Sequence, residues 1–174
     1  MNVEQSGQVK SMRVDTGKVT GRRRLRFEKL SDILADAERL ASGEVRQLGN
    51  WSLGEMCRHL AKVMNMSIDG STFRAPLLIR LMLRPMRRTI LNNTMRPGIQ
   101  LPPDAAAAFG PEAASTEEGL RHLRAAIERL ERDPQRSPSP YFGKLGREDW
   151  DRLHMRHAEL HLSFLVPVEQ NPAG

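Results

Sequence analysis

The sequence predicts an all-α protein: an antiparallel four-helix bundle with an extra broken apolar helix and long loops. Two observations lead there. Ala, Leu, Arg and Glu are abundant and aromatic residues make up 5% of the 174, a balance that favours helices over strands. Four segments also carry apolar residues at helical spacing between recognisable caps, with no repeat and no convincing sheet.

Residues 1–20 are polar, contain glycine and lack a period, so they read as a flexible N-terminal tail. The bundle domain is expected over 21–168, with 169–174 as a C-terminal tail. Val19 to Phe27 suits a short strand or an extended arm. Its cluster Arg22, Arg23, Arg24 and Arg26 could bind phosphate, but a solvated arm packing Leu25 and Phe27 on the bundle is the favoured reading.

The first helix is expected after Ser31 as N-cap, with Asp32 in its first turn, Gly43 as its stop and an inward stripe of Ile33, Leu34, Ala37 and Leu40. The second begins at Ser52, where Ser52-Leu-Gly-Glu55 fits a capping box and Trp51 can act as a staple. Its buried side runs through Leu53, Met56, Cys57, Leu60, Val63, Met64 and Ser67, with His59 at the edge. Residues 75–91 are apolar nearly all round until Pro85, which predicts a broken helix covering one end of the bundle. Its apolar surface calls for burial within the protein or in a homodimer; a membrane-surface segment is the alternative.

Residues 92–114, rich in Pro and Gly, read as a long irregular loop. Ser115 or Thr116 caps the next helix, whose stripe is Leu120, Leu123, Ala126, Ile127 and Leu130. His122 lies off that stripe, one turn after Glu118, and reads as half of a solvated ion pair. The final helix is expected from about Arg147 to Leu165, stopped by Pro167.

The net charge of +6 invites anionic partners, but the arginines are spread through every segment and mixed with acids. With neither a helix-turn-helix pattern nor an aromatic stacking platform, a nucleic-acid face is disfavoured. Cys57 is the only cysteine and reads as core. No signal-peptide profile opens the chain, and no apolar run reaches the ~20 residues that span a bilayer. A cytoplasmic protein without a membrane span is expected.

The final helix carries three of the five histidines. With Trp150 at zero, His154 falls near about 40°, His157 near about 340° and His161 near about 20° around the axis. Residues four apart bring two imidazoles within reach of one ion, and three apart is close enough to do the same. His157 belongs to both available pairs, with His154 and with His161, so it is the first candidate ligand. His59 is the only other histidine at an inward position, and a third ligand from it would leave an open coordination site. Spacing alone also permits a metal-free seam of hydrogen-bonded histidines. Glu159 falls opposite the stripe, near about 180°, and reads as solvated. Glu55, one turn before His59, could orient that ring.

Trp51-Ser52 followed by His59-Leu60-Ala61 on an early helix, then His157-x-x-x-His161 on the last, resembles the DinB/YfiT-like metalloenzyme superfamily, in a branch of unknown function. The resemblance covers roughly residues 20–168. It implies a four-helix bundle holding a divalent metal, zinc or nickel, through His59, His157 and His161. His154 lies outside that shared triad, which leaves it, with Glu55, a role behind the ligands or facing substrate. Some relatives transfer low-molecular-weight thiols, so a metal-dependent thiol transferase or a hydrolase acting on an unknown small molecule is the expected function. No catalytic base stands out in the sequence. The alternative is a non-catalytic helical binding or stress-response protein with a structural or vestigial metal site.

Overall fold

The computed structural model describes residues 13–99 and 102–168. The expected tails at 1–12 and 169–174 lie outside those residues. The protein is mostly helical. In chain order its elements are α1 (Leu30–Ala41), β1 (Val45–Gln47), α2 (Leu53–Asp69), α3 (Leu77–Asn92), α4 (Pro103–Phe109), α5 (Thr116–Arg132), α6 (Arg147–Leu162) and β2 (Leu165–Pro167).

One apolar core is shared by α1, α2, α5 and α6. Ile33, Ala37 and Leu40 meet Met56, Cys57, Leu60 and Met64, together with Leu123, Ala126, Ile127, Leu130, Ala158 and Leu162. The most extensive helix contact is α2 on α5. Two glycines permit it: a Cβ on Gly119 would come within 2.8 Å of Gly54 Cα, and one on Gly54 within 2.5 Å of the Ser115 carbonyl oxygen. The backbones cross where no side chain fits.

The caps of α2 and α5 form as their sequences demand. Ser52 and Glu55 bond reciprocally, as do Ser115 and Glu118. At α1 the helix starts before Ser31 instead of after it. Asp32 Oδ2 accepts from the amides of Glu28 (2.9 Å) and Lys29 (3.1 Å), which draws Leu30 into the first turn.

Four further expectations need correction. A small antiparallel sheet is present, pairing Val45 with Pro167 and Gln47 with Leu165. Strands of three residues are too short to show a period. As a consequence α6 ends at Leu162 and the chain turns into β2. Inside the expected loop 92–114, α4 forms by burying Ala105 and Phe109. From Val14 onward the expected tail is held, because Asn50 Oδ1 accepts from Val14 N (2.7 Å) and Asn50 Nδ2 donates to Val14 O (2.9 Å). The arm at 19–27 takes the extended form of the two expected, and Leu25 and Phe27 pack on the core as the favoured reading has it.

The largest correction is α3. It is one unbroken helix with Pro85 inside it. Pro85 and Leu81, whose carbonyl the proline leaves without a donor, are both exposed, so water can serve that acceptor. Nor is the helix buried. Leu91 is its only buried residue, while Leu77, Leu78, Leu81 and Met82 are 61–71% exposed. The side turned toward α6 carries Arg87, paired with Asp149.

Candidate metal centre

The reciprocal cap at the start of α2 positions two aromatic groups. Ser52 Oγ accepts from Glu55 N at 3.2 Å and Glu55 Oε2 accepts from Ser52 N at 2.7 Å. That fixes Trp51 just outside the helix and His59 about two turns in, on a buried side. Across the core, α6 presents His157 and His161 one turn apart on one face. His157 Nε2 lies 3.2 Å from His59 Nε2 and 2.9 Å from His161 Nε2. One ligand atom from each ring lies within 4.8 Å of the others, so this group could hold a metal ion.

Protein-only hydrogen bonding satisfies the cluster poorly. A ring nitrogen offers either one proton or one in-plane lone pair, so His157 Nε2 cannot align well with both neighbours. Three lone pairs directed at one ion remove the conflict. Nitrogens bound to a tetrahedral ion at about 2.0–2.1 Å stand roughly 3.3 Å apart, near the separations observed here.

The electrostatics favour the ligating form. Burial first, then the neighbouring imidazoles, hold His157 and His161 well below the ordinary histidine range. Burial pushes His59 down to about 4, opposed by the Phe109 backbone and reinforced by the charge of Lys62. Neutral imidazole is the state that binds metal. Among the described residues His59 Nδ1 is buried without a hydrogen-bond partner of good geometry, so the Phe109 backbone acts on that ring only as a nearby dipole.

Trp51 forms the aromatic wall of the cluster. It stacks on His161 (centroids 4.9 Å apart, planes 6° apart) and meets His59 edge-on at 4.9 Å. It thereby fixes two of the three rings.

Other candidates fall elsewhere. His154 is 1% exposed, with its Nε2 3.1 Å from Ser67 Oγ and its ring stacked on Trp150. It is enclosed in the core, outside the cluster of three. Glu55 is engaged in the cap, and among the described residues no hydrogen bond joins it to His59. Cys57 is buried, and burial pushes its thiol up to about 12, far from a reactive thiolate.

Two solvent-side expectations also fail. His122 does not pair with Glu118; its Nε2 lies 2.7 Å from Arg58 Nη1, and the Glu118 carboxylate instead accepts from Ser115 N and Oγ at the cap. Glu159 is 1% exposed, not solvated. The arm covers it: Glu159 Oε1 accepts from Phe27 N at 2.6 Å and pairs with Arg156 at 2.8 Å. A nearby cleft of about 450 Å³, lined by Arg22, Arg23, Arg24, Glu159 and Ser163, includes none of the three clustered histidines. Its cations are partly committed, since Arg22 donates to Ser163 Oγ and lies over Phe164, while Arg23 pairs with Asp36.

A family model described as "Protein of unknown function (DUF1569)" matches residues 19–168. The chain belongs to this family. The match takes in both helices of the histidine cluster and the arm that covers α6. No curated protein and no solved structure matches the chain. For this DUF1569 member, the contributors that sequence reasoning passed over are Trp51 as a wall and the Phe109 backbone beside His59. An aromatic directly before a capping box was the available signal for Trp51. Nothing local pointed to Phe109.

Proposed function

We propose that His59, His157 and His161 hold a divalent ion, zinc or nickel, and that the centre serves a metal-dependent thiol transferase or hydrolase acting on a small molecule. The convergence of three neutral Nε2 atoms from two helices carries this reading. The core shared by α1, α2, α5 and α6 supports reading those helices as the bundle of a DinB-like protein. Three protein ligands leave room for a substrate atom, and a divalent ion there supplies Lewis acidity toward oxygen or sulfur. The chain's own part is to orient the rings: Trp51 holds His161 and His59, and the cap at Ser52 sets the position of α2. Glu55 and Glu159, the carboxylates closest in sequence to the histidines, are committed to backbone amides. That argues against a protease-type general base and in favour of chemistry activated at the metal.

The test is elemental analysis of protein purified without chelator. Near-stoichiometric zinc or nickel is expected, lost in His157→Ala and strongly reduced in His59→Ala. Protein that carries no metal and takes up neither ion on reconstitution would refute the reading.

A further inference from the structure

The net charge of this chain resides in one segment. Between Asp69 and Asp104 there is no acidic residue, and Arg74, Arg80, Arg84, Arg87, Arg88 and Arg96 fall within that stretch. Subtracting those six from the 27 basic residues leaves 21, equal to the 21 acids of the whole chain. The arginines are therefore not evenly balanced along the sequence, and α3 lies in the excess.

The same helix is turned inside out relative to a core helix. Leu77, Leu78, Leu81, Met82 and Met86 are 51–71% exposed. On a helical projection Leu78, Leu81, Met82 and Met86 share an outward arc with Pro85, joined toward the helix end by Thr89 and Asn92, and no charged residue falls between Leu81 at about 40° and Ile79 at about 200°, taking Leu77 as zero. Arg84 and Arg88, both exposed, flank Leu77 along one edge of that arc, at about 340° and 20°. Over residues 77–86 this apolar face, edged on one side by arginine, needs a partner.

We propose that α3 is a docking helix that lies flat on an anionic lipid surface, with the leucine and methionine side chains in the acyl boundary and Arg84 and Arg88 at the headgroups. Charge selects this occupant. A two-fold pairing of α3 with a second copy would bring arginines together with no acid in the segment to answer them, whereas an anionic bilayer supplies the opposite charge along with apolar depth. No helix among the described residues is long and apolar enough to cross a membrane, so the contact is one of lying on the surface.

Co-sedimentation of the full chain with phosphatidylcholine vesicles, with and without phosphatidylserine, tests this. Binding is expected only to the phosphatidylserine vesicles, weakening as salt is raised. Leu78→Ser/Leu81→Ser and Arg84→Gln/Arg88→Gln should each lower partitioning by about tenfold or more while leaving the melting temperature and helical circular dichroism unchanged. Protein remaining in the supernatant with both vesicle types would overturn the proposal. So would binding that the leucine variant does not weaken. Analytical ultracentrifugation showing a dimer abolished by Leu78→Ser/Leu81→Ser, in protein that ignores vesicles, would assign the face to a second copy instead.

Discussion

His154 and His157 stand one turn apart on α6 and differ in what they meet. His157 faces two other Nε2 atoms, whereas His154 is closed in between Ser67 and Trp150. Burial holds both below the ordinary histidine range, and that shift has a thermodynamic sign. Burial lowers His154 from 6.5 to about 3, helped by the charge of Arg136, and lowers His59 to about 4. The unfolded chain takes up protons near its ordinary value of 6.5 while the folded chain does not. Metal-free protein should therefore keep its full stability above about pH 6.5 and lose it as pH falls from there toward about 4. At about pH 5 the loss reaches up to about 2 kcal/mol per ring. Urea unfolding of chelator-treated protein at about pH 7.5 and about pH 5 measures it, and equal midpoints would contradict the neutral assignment. Trp51 belongs to this scale as well. Trp51→Ala should leave the helices intact and loosen His161, weakening metal retention by about tenfold or more in competition with a chelator.

At the scale of elements, α2 and α5 are set by the glycine pair at their crossing. Gly119→Ala forces a methyl group toward the Gly54 backbone and should cost about 2–3 kcal/mol, read as a lower denaturant midpoint. Gly43→Ala, where nothing among the described residues lies within 4 Å of the added Cβ, serves as the control and should change little. The capping boxes at Ser52 and Ser115 were legible because a cap is a local device: its donors and acceptors lie within four residues. The glycine contact was not, because it joins residues 54 and 119, and a lone glycine inside a helical pattern gives no sign of what crosses it. Helix α3 shows the same limit. Its apolar character was plain in the sequence, but whether that character faces the core or solvent depends on which side docks against α6.

Across the whole molecule, residues 22–27 form a strap that closes over the end of α6. Its anchor is Phe27, whose amide donates to Glu159 and whose carbonyl accepts from Arg156 Nη2 at 2.6 Å. Arg156 and Glu159 are 3% and 1% exposed, so each depends on the other for its charge. Glu159→Ala should destabilise the protein by about 3–5 kcal/mol by leaving Arg156 buried and unpaired. It should also release the strap, seen as faster amide exchange at Phe27. Replacing both members with apolar residues of similar size should cost far less, and equal losses from the single and double changes would rule out the buried pair as the cause.

Periodicity in the sequence determined the helices at α1 and α6, periodicity together with caps those at α2 and α5, and periodicity the shared face of His157 and His161. They did so because each of these features is complete within a few turns of chain. Which residues meet across the core was decided only by tertiary structure. It brought His59 and Trp51 to the α6 pair, enclosed His154, covered Glu159 with a strap from far upstream and turned the apolar side of α3 outward. The physical reason is the same each time: a helical period states which side chains share a face, while burial and charge state depend on what the rest of the chain lays against it.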